Sequence, residues 1–165
     1  MTKLTEFTFP DTGETVLIRK VSPLLLLRLR EQFPEPRPPE QEVDYGDGIK
    51  RLEENKAHPD YLRQKEAYEV MMEGKARRLL LKRGVKVEWT EERHRDLAEL
   101  RAEWEEENGQ PLPEHDDVVA WVSYVAVGSD RDLMDLLDIL LRRSGVTEAG
   151  VEHALNRFPA ELPGT

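Results

Sequence analysis

Apolar and polar positions change their spacing several times along the chain, and each change marks an element. Leu4, Glu6 and Thr8 alternate with Thr5, Phe7 and Phe9, and after Pro10-Asp11-Thr12-Gly13 comes a second β-prone run, Glu14-Thr15-Val16-Leu17-Ile18-Arg19-Lys20-Val21. Turn residues between two such runs, with Gly13 free to take positive φ, predict a β-hairpin over residues 3–21. A lone hairpin is marginal in water, so it must dock on something. Ser22-Pro23 then opens a helix, because Ser caps and Pro in the first turn costs no hydrogen bond. Leu24 to Leu27 and Leu29 give that helix a broad apolar surface before Pro34 ends it. Burial in the core is the plainer reading of so many leucines, and a docking helix for a partner is the other.

Residues 34–59 break the pattern. Pro34, Pro36, Pro38 and Pro39 favour an extended, polyproline-like course. Glu40 to His58 is polar and acidic, with isolated apolar positions at Val43, Tyr45, Ile49 and Leu52 and a turn-like Gly46-Asp47-Gly48. The expectation is an extended arm or long loop, a kind of segment that in compact domains is functional or disordered.

Helical spacing then takes over. Tyr61, Leu62, Tyr68, Met72, Ala76, Leu79 and Leu80 recur at three- and four-residue steps, predicting a helix over about 60–83 with Gly84 as its C-cap. The basic cluster Lys75, Arg77, Arg78, Lys82 and Arg83 suits the negative end of the helix dipole. Val85-Lys86-Val87-Glu88-Trp89 reads as a short extended segment able to join the hairpin as a third strand. Thr90 caps a further helix to Glu107, ended by Asn108-Gly109, with a narrow stripe of Leu97, Leu100 and Trp104. Between Asp116 and Val127 the chain is apolar on nearly all sides, so it is buried, but periodicity does not separate helix from strand there. The acids of Glu114-His115-Asp116-Asp117 favour a helix start. Ser129-Asp130-Arg131-Asp132 resembles a capping box and opens a helix with Leu133, Leu136, Leu137, Leu140 and Leu141 inside and Arg142-Arg143 last. Gly145 stops it, and Thr147 caps a final helix through Val151, Ala154, Leu155 and Phe158. Together these predict a mainly helical α+β fold: an N-terminal hairpin of two strands, or three with residues 85–89, packed on about five helices. The segments are a hairpin and short helix at 1–33, a Pro-rich arm at 34–59 and a helical part at 60–165, in one domain overall.

Composition narrows the function more than the fold. The net charge is -10, from 34 acidic against 24 basic residues, which argues against a nucleic-acid binder relying on a basic surface. No apolar run is long enough to span a membrane, and Met1 to Glu6 lacks the apolar core of a signal peptide, so the chain reads as cytoplasmic. With 0 Cys, thiolate metal sites, disulfides and cysteine nucleophiles are excluded. Scarce Asn, Gln and Met and a preference for Arg over Lys fit a hot-environment host or, equally, a GC-rich genome.

Candidate chemistry is thin. His58, His94, His115 and His153 lack metal-ligand spacing, and Asp44-x-x-Asp47 lacks the rest of a calcium loop. Gly46-Asp47-Gly48 is no phosphate cradle. Ser22 and Ser129 occupy cap positions, and Ser123 lies inside the apolar run, none in a nucleophile-elbow context. The expectation is therefore no catalytic, cofactor-binding or metal site. Three features suggest binding. Met71-Met72 could adapt to a partner's surface, although core packing explains them as well. The arm could engage another chain through Tyr45, Ile49 and Leu52, or fold over its own domain. The acidic helix at 91–107 could meet a basic partner, with a solvated face as the plainer account.

The order of segments carries a resemblance. Ile18-Arg19-Lys20-Val21-Ser22-Pro23-Leu24-Leu25, the proline-rich stretch, Val43-Asp44-Tyr45-Gly46-Asp47-Gly48, His58-Pro59-Asp60-Tyr61-Leu62, Arg83-Gly84-Val85, Val125-Ala126-Val127-Gly128-Ser129-Asp130 and Leu141-Arg142-Arg143-Ser144 before Thr147-Glu148-Ala149 span nearly the whole chain. Together they resemble the tail assembly chaperones of long-tailed, siphovirus-type bacteriophages. Where members often have polar-Pro-Thr before the last helix, this chain has Gly145-Val146-Thr147, which alters a turn. The resemblance implies a non-enzymatic factor of virion morphogenesis in the host cytoplasm, absent from the finished particle and without catalytic residues to carry over. It implies binding to the tape-measure protein, whose solubility the factor maintains, and help to tail-tube subunits polymerising around it. No cofactor, nucleic acid or membrane is expected as a partner, and a homo-oligomer is compatible. The alternative expectation is a structural virion component of the tail or neck.

Overall fold

The structure, a computed structural model, describes residues 4–145. It is α+β and mainly α, with an antiparallel sheet near the N-terminus. The final helix expected after Thr147 lies outside the described residues. The chain divides into two compact units, one holding the residues up to Leu25 and from Arg77 onward, the other Leu26–Ala76.

In the first unit, β1 (Thr5–Thr8) and β2 (Thr15–Ile18) form the expected hairpin, with Phe7 opposite Val16. Gly13 takes φ 76° and donates its N–H to Phe9 O at 2.8 Å, closing the turn. The third strand also forms: β5 (Val85–Lys86) pairs antiparallel with β2, Ile18 opposite Val85, giving the order β1-β2-β5. Phe9, Val16, Ile18 and Val85 are buried together with Leu81, Leu97, Leu112, Trp121, Leu136 and Leu140. Alternation of one buried and one wet face in β2 is the pattern of a sheet covered on one side.

Three helices complete this unit, each started by an identifiable cap. Thr90 Oγ1 accepts from Arg93 N ahead of α3 (Glu91–Asn108), and Gly109 at φ 67° ends it. Asp116 Oδ1 accepts from Val119 N ahead of α4 (Asp117–Trp121). Residues 117–126 are thus helical, as the acidic lead-in indicated, but from Val122 to Ala126 the helix widens to a π turn, closed by Val127 N on Val122 O at 3.1 Å. Periodicity carried no sign of that turn, because a run apolar on every side fits either pitch. Ser129 Oγ accepts from Asp132 N, and the buried Asp132 Oδ2 accepts from Gly128 N, a near capping box that opens α5 (Asp130–Arg143).

Gly84 corrects one expectation. It does not cap the long helix in a left-handed conformation; it is the last residue of α2 (Pro59–Gly84), which runs directly into β5. A Cβ there would stand 2.6 Å from Leu140 Cδ2 and 2.9 Å from Val21 Cγ2. The position is glycine because α5 and the segment after β2 approach the helix backbone closely.

The second unit corrects two more. The leucine-rich helix α1 (Pro23–Gln32) buries none of its residues, so the core reading of its leucines fails, and Leu24 is 64% exposed. Residues 34–59 are not an extended arm throughout, for β3 (Glu40–Asp44) and β4 (Lys50–Glu54) pair antiparallel as a separate two-stranded sheet, Glu42 opposite Leu52. Its strands are so polar that hydrophobic alternation could not reveal them. Turn chemistry forms it instead: Asp44 Oδ1 accepts from Gly46 N at 2.8 Å and Asp47 Oδ1 from Ile49 N at 3.0 Å, while Gly46 and Gly48 take φ 82° and 76°.

Candidate functional site

Of the features singled out for binding, Tyr45, Ile49, Leu52, Met71 and Met72 fall in the second unit, and the acidic helix at 91–107 falls in the first. Tyr45 and Ile49 flank the hairpin turn and are 54% and 56% exposed, and Leu52 on β4 is 66% exposed. On the hairpin, the Tyr45 hydroxyl donates to Glu53 Oε1, and the Arg51 guanidinium lies over its ring at 5.5 Å. Tyr45 therefore shares a face with Arg51 and Glu53, whereas Leu52, one position along, points to the other face. The structure does not bring these aromatic and aliphatic side chains into one patch; it displays them on both sides of a thin sheet. Hydrogen bonding to the Glu53 carboxylate raises the Tyr45 phenol above its ordinary pKa, since ionisation would set two anions together.

The adjacent methionines separate for a geometric reason. Successive helical residues are rotated by about 100°, so Met72 joins Tyr61, Tyr68 and Ala76 on the packed side of α2 while Met71 turns out to solvent, 38% exposed. Leu62, which the spacing placed in the inner stripe, is exposed for the same reason, as is Val70. Those two were missed because counting three- and four-residue steps does not weigh how far each residue drifts from the stripe's centre.

What holds this face is polar as much as apolar. The helix starts on His58, whose Nδ1 accepts from Asp60 N at 3.2 Å and whose carbonyl accepts from Leu62 N. The Tyr68 hydroxyl donates to Phe33 O at 2.7 Å, and Lys75 Nζ stands 4.3 Å over the Phe33 ring. Burial raises the Tyr68 phenol pKa, with Arg30 opposing and Glu35 adding to the effect.

Elsewhere several charged side chains are engaged in structural pairs. Within the basic cluster, Arg78 grips Glu114 through Nε at 2.9 Å and a terminal nitrogen at 3.0 Å, which raises its pKa further, and Arg101 reaches Asp117 Oδ1 at 2.9 Å. His94 stacks on Trp89 with ring centroids 4.8 Å apart. Ser144 Oγ donates to Leu140 O. A shallow depression of about 510 Å³ is lined by Leu4, Arg19, Lys20, Ser22 and Pro23, so Ser22 has neither a histidine nor a carboxylate beside it there. Among the described residues no group of acidic or histidine side chains is disposed to hold a metal ion, and no helix is long and apolar enough to cross a membrane. No protein-family model matches this chain, and neither a curated protein nor a solved structure is detectably similar to it.

Proposed function

We propose that this protein is a phage tail assembly chaperone, a non-catalytic factor that binds the tape-measure protein and shields its apolar surface while the tail is built. The observation that carries the reading is the display of apolar side chains on the second unit: Tyr45, Ile49, Leu52, Leu62, Val70 and Met71 are exposed, while Tyr61 is the one apolar residue of that unit in the buried core. Set on both sides of the hairpin and along α2, the exposed side chains offer an extended partner separate points of contact instead of one patch. The hairpin sets Glu40, Glu42, Asp44, Asp47, Glu53 and Glu54 against Lys50 and Arg51. That acidic ground favours a partner segment carrying cations among its apolar residues. The resemblance of its segment order to that of tail assembly chaperones is what points to the tape-measure protein as the partner.

Co-expression with the tape-measure protein of the same genome tests this. The expected result is a higher soluble yield of that protein and co-purification of the two. An unchanged yield with no co-purification overturns the reading. The same logic places the protein in the host cytoplasm and outside the finished particle, so mass spectrometry of purified virions should not find it, and its presence there would favour a structural role instead.

A further inference from the structure

The outer edge of β4 carries a pattern that the hairpin itself does not use. Asn55 donates its N–H to Pro39 O at 2.7 Å, and the register pairs Gln41 with Glu53 and Val43 with Arg51. Backbone groups of an antiparallel strand alternate in direction. Residues 51, 53 and 55 therefore turn theirs toward β3, and Lys50, Leu52 and Glu54 direct N–H and C=O away from it. β4 has no second neighbour in its sheet, and every one of its residues is exposed. Such an edge is a template for another strand.

Its side chains select which strand. β4 reads Lys50-Arg51-Leu52-Glu53-Glu54: cations first, a leucine at the centre, carboxylates last. Two copies of this strand placed antiparallel about a two-fold axis at Leu52 set Lys50 opposite the partner's Glu54, Arg51 opposite the partner's Glu53, and the two leucines against each other. Every directly opposed pair is then complementary, the arrangement that stabilises cross-strand neighbours. We propose that a second copy of this chain docks on this edge, joining the two hairpins into one continuous antiparallel sheet in the order β3-β4-β4-β3.

The opposite edge prevents further growth. On β3 the outward positions are Glu40, Glu42 and Asp44. Pairing through β3 about Glu42 would put carboxylate against carboxylate at each of them, which is destabilising. A mixed pairing of β3 with a neighbour's β4, in the hairpin's own register, sets Glu40 against Glu54 and gains a single complementary charge pair, Asp44 with Lys50, against the four of the two-fold arrangement. The pattern therefore specifies a closed, isologous dimer and disfavours an open filament.

Sedimentation velocity on the full chain, with charge-swapped variants, tests this. The wild type should double its mass as concentration rises, with a dissociation constant weakened about tenfold between low and high salt, since the pairs are exposed. K50E/R51E and E53K/E54K should each stay monomeric alone, and an equimolar mixture should restore a dimer containing one of each. Restoration on mixing shows that both variants fold. Amide exchange at Leu52 should slow as the dimer forms. A wild type that remains monomeric at its highest soluble concentration, a dimer that either variant preserves, or a mixture that stays monomeric would each overturn the proposal. The measurement involves this protein alone, so its outcome is separate from that of the tape-measure experiment.

Discussion

The two glycines of α2, one interior and one at its C-terminal end, should respond to the same substitution with opposite signs. Gly74 is exposed, and a Cβ built there meets nothing within 4 Å. Alanine at that point recovers the helix propensity that glycine forgoes, about 1 kcal/mol. At Gly84 the same methyl would lie 2.6 Å from Leu140 Cδ2 and 2.9 Å from Val21 Cγ2, well inside the roughly 3.5–4.0 Å optimum for carbon pairs. Leu140 and Val21 are both buried, and a valine has little rotamer freedom with which to retreat. Overpacking of this kind costs about 1–3 kcal/mol. Gly84 is the terminal residue of the helix, where little propensity is gained, so Gly84→Ala should be net destabilising by at least about 1 kcal/mol. For a chain of this length that is a fall in melting temperature of about 2–4 °C, and Gly74→Ala should give a rise of similar size. Circular dichroism follows the helix at both positions. Trp89, Trp104 and Trp121 all belong to the first unit, so their fluorescence reports the unit that holds Gly84. A Gly84→Ala protein as stable as wild type, or two substitutions shifting in the same direction, would refute the close approach on which the reasoning rests.

Four further outcomes are expected. Replacing Tyr45 and Ile49 by alanine should reduce tape-measure co-purification by about 1–2 kcal/mol per side chain if they anchor the contact, while the unfolding midpoint moves by no more than about 0.5 kcal/mol. Tyr68→Phe removes the hydroxyl bonded to Phe33 O and should cost about 0.5–1.5 kcal/mol in urea unfolding. Because the folded state holds the Tyr68 proton more tightly than the unfolded chain, that group's contribution is complete below the ordinary tyrosine pKa and is lost as pH rises through the higher folded value. A phenolate absorbance titration should accordingly show a phase above the ordinary tyrosine range, and loss of that phase in Y45F/Y68F checks the assignment to Tyr45 and Tyr68. Asp116→Ala and Ser129→Ala each delete a helix cap and should each cost about 1 kcal/mol in thermal unfolding.

The elements that sequence reasoning placed well are those in which local chemistry and burial agree. Gly13 needed a positive φ, the Phe9, Val16 and Ile18 positions needed a covered face, and both demands specify the same hairpin. Thr90 and Ser129 could be identified as caps because a side-chain oxygen before an apolar run has few other roles, whereas the acidic lead-in marked a helix start without singling out Asp116 as its cap. The failures share a cause as well. Composition makes the leucines of α1 look like core, but whether a covering layer exists depends on residues distant in the chain. The β3–β4 hairpin lacked an apolar face to give it away, although Gly46-Asp47-Gly48 marked its turn. Gly84 before an extended segment has the local look of a C-cap, and only the approach of Leu140 and Val21 shows otherwise. For the candidate surface, Met71 and Met72 are indistinguishable as letters; the helical phase set by Tyr61 and Tyr68 tells them apart.

The division of burial between the two units has a consequence for how such a chain can change. Apart from Tyr61, the apolar residues of the buried core belong to the first unit, so stability rests on the sheet, the caps and the packing around Trp121 and Leu140. The hairpin contributes no buried residue, and a two-stranded sheet of that kind is marginal by itself. What keeps it formed is turn geometry and cross-strand pairs such as Lys50 with Glu42 at 3.5 Å, each exposed and individually weak. Its side chains can therefore be exchanged at little cost to the core, and their pattern is free to be set by what they contact. Random substitution would not be expected to leave Lys50-Arg51-Leu52-Glu53-Glu54 self-complementary on one edge and Glu40, Glu42 and Asp44 uniformly anionic on the other. These charges serve the hairpin and not the buried core, and pairing of two copies, as proposed, accounts for their order along the outer edge.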